Sequence, residues 1–96
     1  MPTYVVLARM TQQGIRGAKE IPQRRAAARE AAEKLGITWR EGMLTMGKYD
    51  VVFILDAPDD ATLAKFVLQI GMQGNLSTQT LRAFSDEEAD AILESL

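Results

Sequence analysis

The chain has 96 residues, 47% of them hydrophobic and 25% charged, with 7 Gly and 3 Pro, a composition that fits one globular domain over 1–96 and leaves no room for a second. It has no His and no Cys, which excludes thiol chemistry, disulfides, imidazole bases, the usual zinc sites and histidine-ligated haem, so neither metal nor cofactor is expected. A formal net charge of -2 supplies no global field for nucleic acid or an anionic membrane.

In chain order, Tyr4 to Met10 is apolar and β-branched and predicts a strand. The residues before Arg9 carry no positive leader, and their apolar run is too short for a signal peptide or a span, so a cytoplasmic setting is the expectation; Pro2 reads as a plain strand leader. Thr11 to Gly17 breaks the pattern with two glycines and predicts a loop or short turn. Pro22 to Leu35 is helical, with Ala28, Ala31, Ala32 and Leu35 on one stripe, Arg25, Arg29 and Glu33 on a polar one, and Gly36 as terminator. An alanine stripe predicts close approach of that helix to a sheet.

Thr38 to Met46 predicts a second strand with Trp39, Glu41, Met43 and Thr45 on one side. Gly47-Lys48 predicts a tight turn into Asp50 to Asp56, the strongest strand pattern in the chain. Ala57-Pro58-Asp59-Asp60 caps a helix that carries Leu63, Phe66, Val67 and Ile70 at spacings of three and four and decays at Gly71 and Gly74. Ser77 to Phe84 is a more polar fourth strand. Ser85, with Glu88 three positions on, caps a short acidic helix whose Ala89, Ile92, Leu93 and Leu96 offer an apolar side for docking.

This order predicts an α+β, ferredoxin-like βαββαβ sandwich, with an antiparallel sheet of spatial order 4-1-3-2 and a C-terminal helix. Strands one and three are apolar on both faces, as central strands are, yet two helices cover only one face. Val5, Leu7, Phe53 and Leu55, or their neighbours of opposite parity, would then lie bare, which predicts a homodimer packed sheet to sheet as a dimeric α+β barrel. The competing cover is the terminal helix. Residues 1–48 hold nine Lys and Arg against four acids and residues 49–96 two against nine, a balance of +5 against -7, which predicts complementarity within or between protomers.

Gly47-Lys48-Tyr49-Asp50, followed by the apolar run Val51 to Leu55 and then Asp56-Ala57-Pro58-Asp59, resembles the GYD domain family. Thr11-Gln12-Gln13-Gly14, the Arg24 to Gly36 helix, and Gly74-Asn75 leading into Thr78 to Phe84 fit the family's layout. The resemblance implies a ferredoxin-like, dimeric barrel type of fold and a bacterial or archaeal cytosolic setting. It implies no established activity and carries over only the motif positions Gly47, Tyr49 and Asp50. Gly47 permits a positive φ, the Tyr49 ring covers an edge, and Asp50 accepts turn amides; alternatively Tyr49 and Asp50 stand at a pocket mouth.

The candidate ligand-binding residues are Tyr49, Asp50, Trp39, Arg9 and Arg82, with Glu41, Met43, Thr78 and Thr80 as further lining of a barrel interior according to strand parity. The expected function is a homo-oligomeric domain that binds a small molecule between sheet faces without turnover. A cofactor-independent oxygenase or isomerase built on Tyr49, Asp50, Trp39 and an Arg is the enzymatic alternative, and a filled structural assembly module is the third. Gly14, Arg16, Gly17, Lys19, Arg24 and Arg25 offer amides and guanidinium groups to an anion but lack phosphate-loop spacing, and a solvated basic helix end is the expected reading. RNA recognition fails because Lys48 and Asp50 occupy the positions where stacking aromatics are needed. Asp59-Asp60 reads as a cap, without further metal-ligating oxygens at suitable spacing.

Overall fold

The computed structural model describes residues 1–96. The elements run β1 (Thr3–Met10), α1 (Gln12–Arg16), a 3-10 turn (Ala18–Glu20), α2 (Ile21–Lys34), β2 (Thr38–Leu44), β3 (Val51–Asp56), α3 (Asp60–Met72), β4 (Leu76–Ala83) and α4 (Asp86–Glu94). The four strands form one antiparallel sheet in the order β2-β3-β1-β4, the ferredoxin-like arrangement expected from the pattern. The segment after β1 is more regular than its two glycines suggested. Thr11 caps α1 by accepting from the Gly14 N–H at 3.0 Å, and Gly14 fits inside the helix because it lies against backbone.

One face of the sheet is covered by α2 and α3. Tyr4, Val6 and Ala8 of β1 pair with Leu55, Phe53 and Val51 of β3; all of these but Val51, which packs against them half-buried, join Ala32, Leu63, Phe66 and Ile70 in the core. Phe66, Leu55 and Val6 are its largest fully buried side chains, each worth about 1.5–3 kcal/mol of transfer free energy. Asp59 caps α3 by accepting from the Thr62 N–H at 2.8 Å, and Gly36, at φ +75°, turns the chain out of α2 in the left-handed conformation that favours glycine.

The opposite face carries Val5 and Leu7 beside Ile54 and Val52, with Leu81 of β4 and Met43 of β2 at its sides. Phe53 and Leu55 therefore do not share a face with Val5 and Leu7, because antiparallel register sets Val5 opposite Ile54 and not beside Phe53. No element covers this second face. The terminal helix does not dock across it: α4 has no buried residue, and Leu93 and Leu96 are 61% and 96% exposed. The radius of gyration is 14.4 Å, against roughly 12.5 Å for a compact chain of this length, as a projecting helix requires.

β2 departs from simple alternation. Its register against β3 shifts between Trp39 and Glu41, so Arg40 is the extra residue of a bulge. Trp39 consequently turns to the helix-covered face, while Glu41 and Met43, expected beside it, stand on the open one. The strand ends at Leu44, and Thr45 to Asp50 make a wider loop than the tight turn expected at Gly47-Lys48. Opposite charges of the two halves meet within the protomer at one pair, Arg40 with Asp56 at 3.5 Å; the other ion pair, Lys34 with Glu30, lies within α2. No helix is long and apolar enough to cross a membrane, and no three carboxylates cluster to hold a metal ion.

Candidate functional site

The GYD stretch builds the end of the open face. Gly47, at φ +127°, lies in the region that favours glycine, and the loop is closed by the Thr45 N–H donating to the Asp50 carbonyl at 2.8 Å and the Thr45 hydroxyl donating to the Tyr49 carbonyl at 2.6 Å. The Asp50 N–H donates to the Ala8 carbonyl at 2.8 Å, while its carboxylate Oδ2 accepts from the Met10 N–H at 2.7 Å. Asp50 thus continues the ladder between β3 and β1 with its side chain and serves a neighbouring strand, not the amides of its own turn. Tyr49 reaches over β1 and donates its hydroxyl to Gln79 Oε1 on β4 at 2.7 Å. Arg9 donates Nε to the Lys48 carbonyl at 3.0 Å, and its guanidinium lies 6.0 Å from the Tyr49 ring centroid. Tyr49, Asp50 and Arg9 are therefore brought together, with their polar groups committed to Gln79, the Met10 N–H and the Lys48 carbonyl respectively.

Arg82 belongs to the far end. Tyr4 opposes Arg82 across β1 and β4, five residues or roughly 17 Å of strand from Arg9. Its guanidinium donates to the Thr3 and Ala83 carbonyls and lies 4.4 Å from the Phe84 ring centroid and 5.7 Å from that of Tyr4. Tyr4 in turn donates its hydroxyl to Asp60, and this bond, then burial, raises the phenol above its ordinary value of 10.0. Arg9 and Arg82 have no acidic partner. Thr78 and Thr80 pair with Ala8 and Val6 on the helix-covered face, so the expected barrel lining divides between the two faces.

Trp39, the only tryptophan, leads to a second place. Its ring stacks on Phe53, centroids 4.9 Å apart, meets Phe66 edge-on at 6.4 Å, and lies under the Arg29 guanidinium at 5.5 Å. Beside it is a cavity of about 310 Å³ between the first half of α2 and the β2–β3 edge, walled by Ile21, Arg24, Ala28, Gly42, Phe53 and Ile70 among others. The alanine stripe was expected to bring α2 close to the sheet. At this end Ala28 and Gly42 both line the cavity, and their small size leaves it room.

Arg24 and Trp39 both line the cavity, and behind its surface each has a donor, Arg24 Nε and Trp39 Nε1, that is sealed from solvent and has no partner. Each such group costs about 1–3 kcal/mol. Arg24 Nη2 is spent on the Gly14 carbonyl at 3.1 Å and on the Gly17 carbonyl, so the loop offers carbonyls to its arginine and does not form a nest of amides for an anion. The same loop is clamped from the other side: Thr11 N–H to the Asn75 carbonyl at 3.1 Å, Thr11 Oγ1 to the Gly74 carbonyl at 2.6 Å, and Gln13 Nε2 to Asn75 Oδ1 at 3.0 Å. A Cβ on Gly14 would lie 2.2 Å from the Asn75 carbonyl oxygen, which is why glycine stands there. Thr11 to Gly14 and Gly74-Asn75, which looked like separate stretches, are one contact that shapes the cavity floor.

Gly42 is not among the residues expected at a site, and Arg24, expected in a solvated basic helix end, instead lines the cavity. The signal for Arg24 was present: it lies four positions before Ala28, on the inner stripe and not on the polar one with Arg25 and Arg29.

The family model for the GYD domain matches residues 4–93. A Thermus thermophilus protein named glutamine synthetase and cystathionine beta-lyase binding protein is 31% identical over 84 residues, covering 86% of this chain and 88% of the relative. No solved structure gives a significant match. With the glycine, tyrosine and aspartate of the motif placed in one loop and the model match running almost end to end, the chain belongs to the GYD domain family.

Proposed function

We propose that the protein is a non-catalytic, homo-oligomeric binding module that pairs through its open sheet face and docks on a client enzyme. One observation carries the reading: Val5, Leu7, Val52 and Ile54 form a continuous apolar field, flanked by Leu81 and Met43, each 44% exposed, that neither α2, α3 nor α4 covers. A second copy packed sheet to sheet about a two-fold axis covers that field with its own equivalent and makes the dimeric α+β barrel. Tyr49, Asp50 and Arg9 then stand at the rim of the interior, where a small organic molecule would enter between the faces. The acidic α4 pairs with nothing in its own protomer and is left as surface for another protein. The name of the Thermus relative, a binding protein for two enzymes, supports client docking. The oxygenase or isomerase alternative has less support, because it needs Tyr49 and Trp39 around one substrate and they lie on opposite sides of the sheet.

Sedimentation equilibrium tests the assembly. The expected result is a two-copy mass at micromolar concentration and a folded one-copy mass for Ile54→Glu, which sets a charge in the middle of the field. A folded wild-type monomer at that concentration refutes it. Immobilised protein titrated with purified glutamine synthetase of the same host tests the docking, and no response at any concentration up to tens of micromolar removes that half of the reading.

A further inference from the structure

We propose that the cavity between α2 and β2 is a binding site for a small carboxylic acid with an apolar body, of the arylalkanoic or medium-chain alkanoic class. The volume of about 310 Å³ stands at the lower end of ligand cavities, roughly 300–1,000 Å³, and suits a compact ligand. The lining is mostly hydrophobic, and its charged members are Arg24 and Arg25, with no Asp or Glu among them. An occupant is thus selected for an apolar body and a negative end.

The polar end has defined partners. Arg24 and Arg25 both stand in the wall, with Trp39 beside them; the unpartnered Arg24 Nε and Trp39 Nε1 are themselves closed to solvent, so the guanidinium charge, and not those two atoms, meets the ligand. A carboxylate complements the charge of Arg24 and Arg25, whereas an amine is repelled by it. Arg24 has no carboxylate partner in the protein, and its Nη2 is held on the Gly14 and Gly17 carbonyls, so the guanidinium is fixed before any ligand arrives. Gly42 lies directly against the indole edge: a Cβ there would stand 3.1 Å from Trp39 Nε1 and crowd the ring and the cavity beside it. This site lies mainly on the side of the sheet opposite the proposed dimer face, with Met43 common to both.

Because Trp39 is the only tryptophan, its fluorescence reports on the cavity directly. The experiment titrates the full chain with phenylacetate and octanoate, with benzyl alcohol, phenethylamine and octanol as uncharged or cationic counterparts. A saturable change in Trp39 emission with either acid, at least tenfold tighter than with the counterparts, is the expected result. Arg24→Met should weaken binding of that acid tenfold or more. Since Arg24 also ties down the loop after β1, Gly42→Ala is the second variant: it leaves those bonds alone, places a methyl against Nε1, and should weaken binding by a similar factor with an unchanged circular dichroism spectrum. No saturable response to either acid up to 10-millimolar order, an equal response to octanol, or full affinity in Gly42→Ala overturns the proposal. Displacement of a bound acid by a peptide of residues 86–96 also overturns it, by assigning the cavity to the terminal helix of another copy.

Discussion

The two faces of the sheet are built from the same few strands and hold similar numbers of apolar side chains, yet they end in different states. On one face Tyr4, Val6, Phe53 and Leu55 are sealed by helices; on the other Val5, Leu7, Val52 and Ile54 are only half-buried, shaded by their neighbours. The first face makes the monomer's stability, and the second is the one proposed to pair. The difference arises from connection, since both crossover helices of this topology return over the same side.

Substitutions separate the two roles. Phe66→Ala, on the sealed face and against Trp39, should cost about 3–5 kcal/mol in urea unfolding, at any protein concentration. A loss that shrank as protein was added would mean the sealed face also takes part in assembly. Gly14→Ala should cost about 1–3 kcal/mol, because the new methyl must push the Asn75 backbone aside where two crossovers are clamped together. A neutral result would show that the contact yields. Ser85→Ala removes the cap of α4, where the Glu88 N–H donates to Ser85 Oγ at 3.2 Å and the Ser85 N–H to Glu88 Oε1 at 2.9 Å. Helix signal should fall while the global midpoint stays, since caps are worth about 0.5–2 kcal/mol locally and α4 buries nothing in the body. A shifted midpoint would instead reveal α4 docked in solution.

The smallest effect lies at high pH. The Tyr4 phenol is raised in the fold, so its contribution is fully present below its unfolded value of 10.0 and is lost as pH rises through the raised folded value. Wild type should therefore lose stability above about pH 10 more steeply than Tyr4→Phe, as read from thermal midpoints against pH; parallel curves would deny the hydroxyl a part in closing the sealed face.

Much of this architecture is legible in local pattern. Asp59 and Ser85 cap where their spacing says, and the apolar centre and polar edges of the strand set give the sheet order, because burial on two faces selects composition at every position. The cavity was less legible. A single inserted residue at Arg40 reverses a period of two, and no local propensity marks it, so Trp39 was grouped with Glu41 and Met43. Five residues of α1 are too few for periodicity to register, and Arg24 among alanines is conspicuous only once the stripe is drawn through it. The open face is foreseeable as a problem but its membership stays open in the sequence, since which of Val52 or Phe53 turns outward depends on register and not on composition.

The bulge has a consequence for length variation. Arg40 is surplus to the pairing with β3, so β2 is a place where the chain can shed one residue and straighten, with the indole still inward and Glu41 and Met43 still outward. Losing a residue from within the regular pairing of β1 would invert everything on one side of the gap. Shorter versions of this chain should therefore be tolerated at that kink in β2, at the cost of the ion pair with Asp56 and little else.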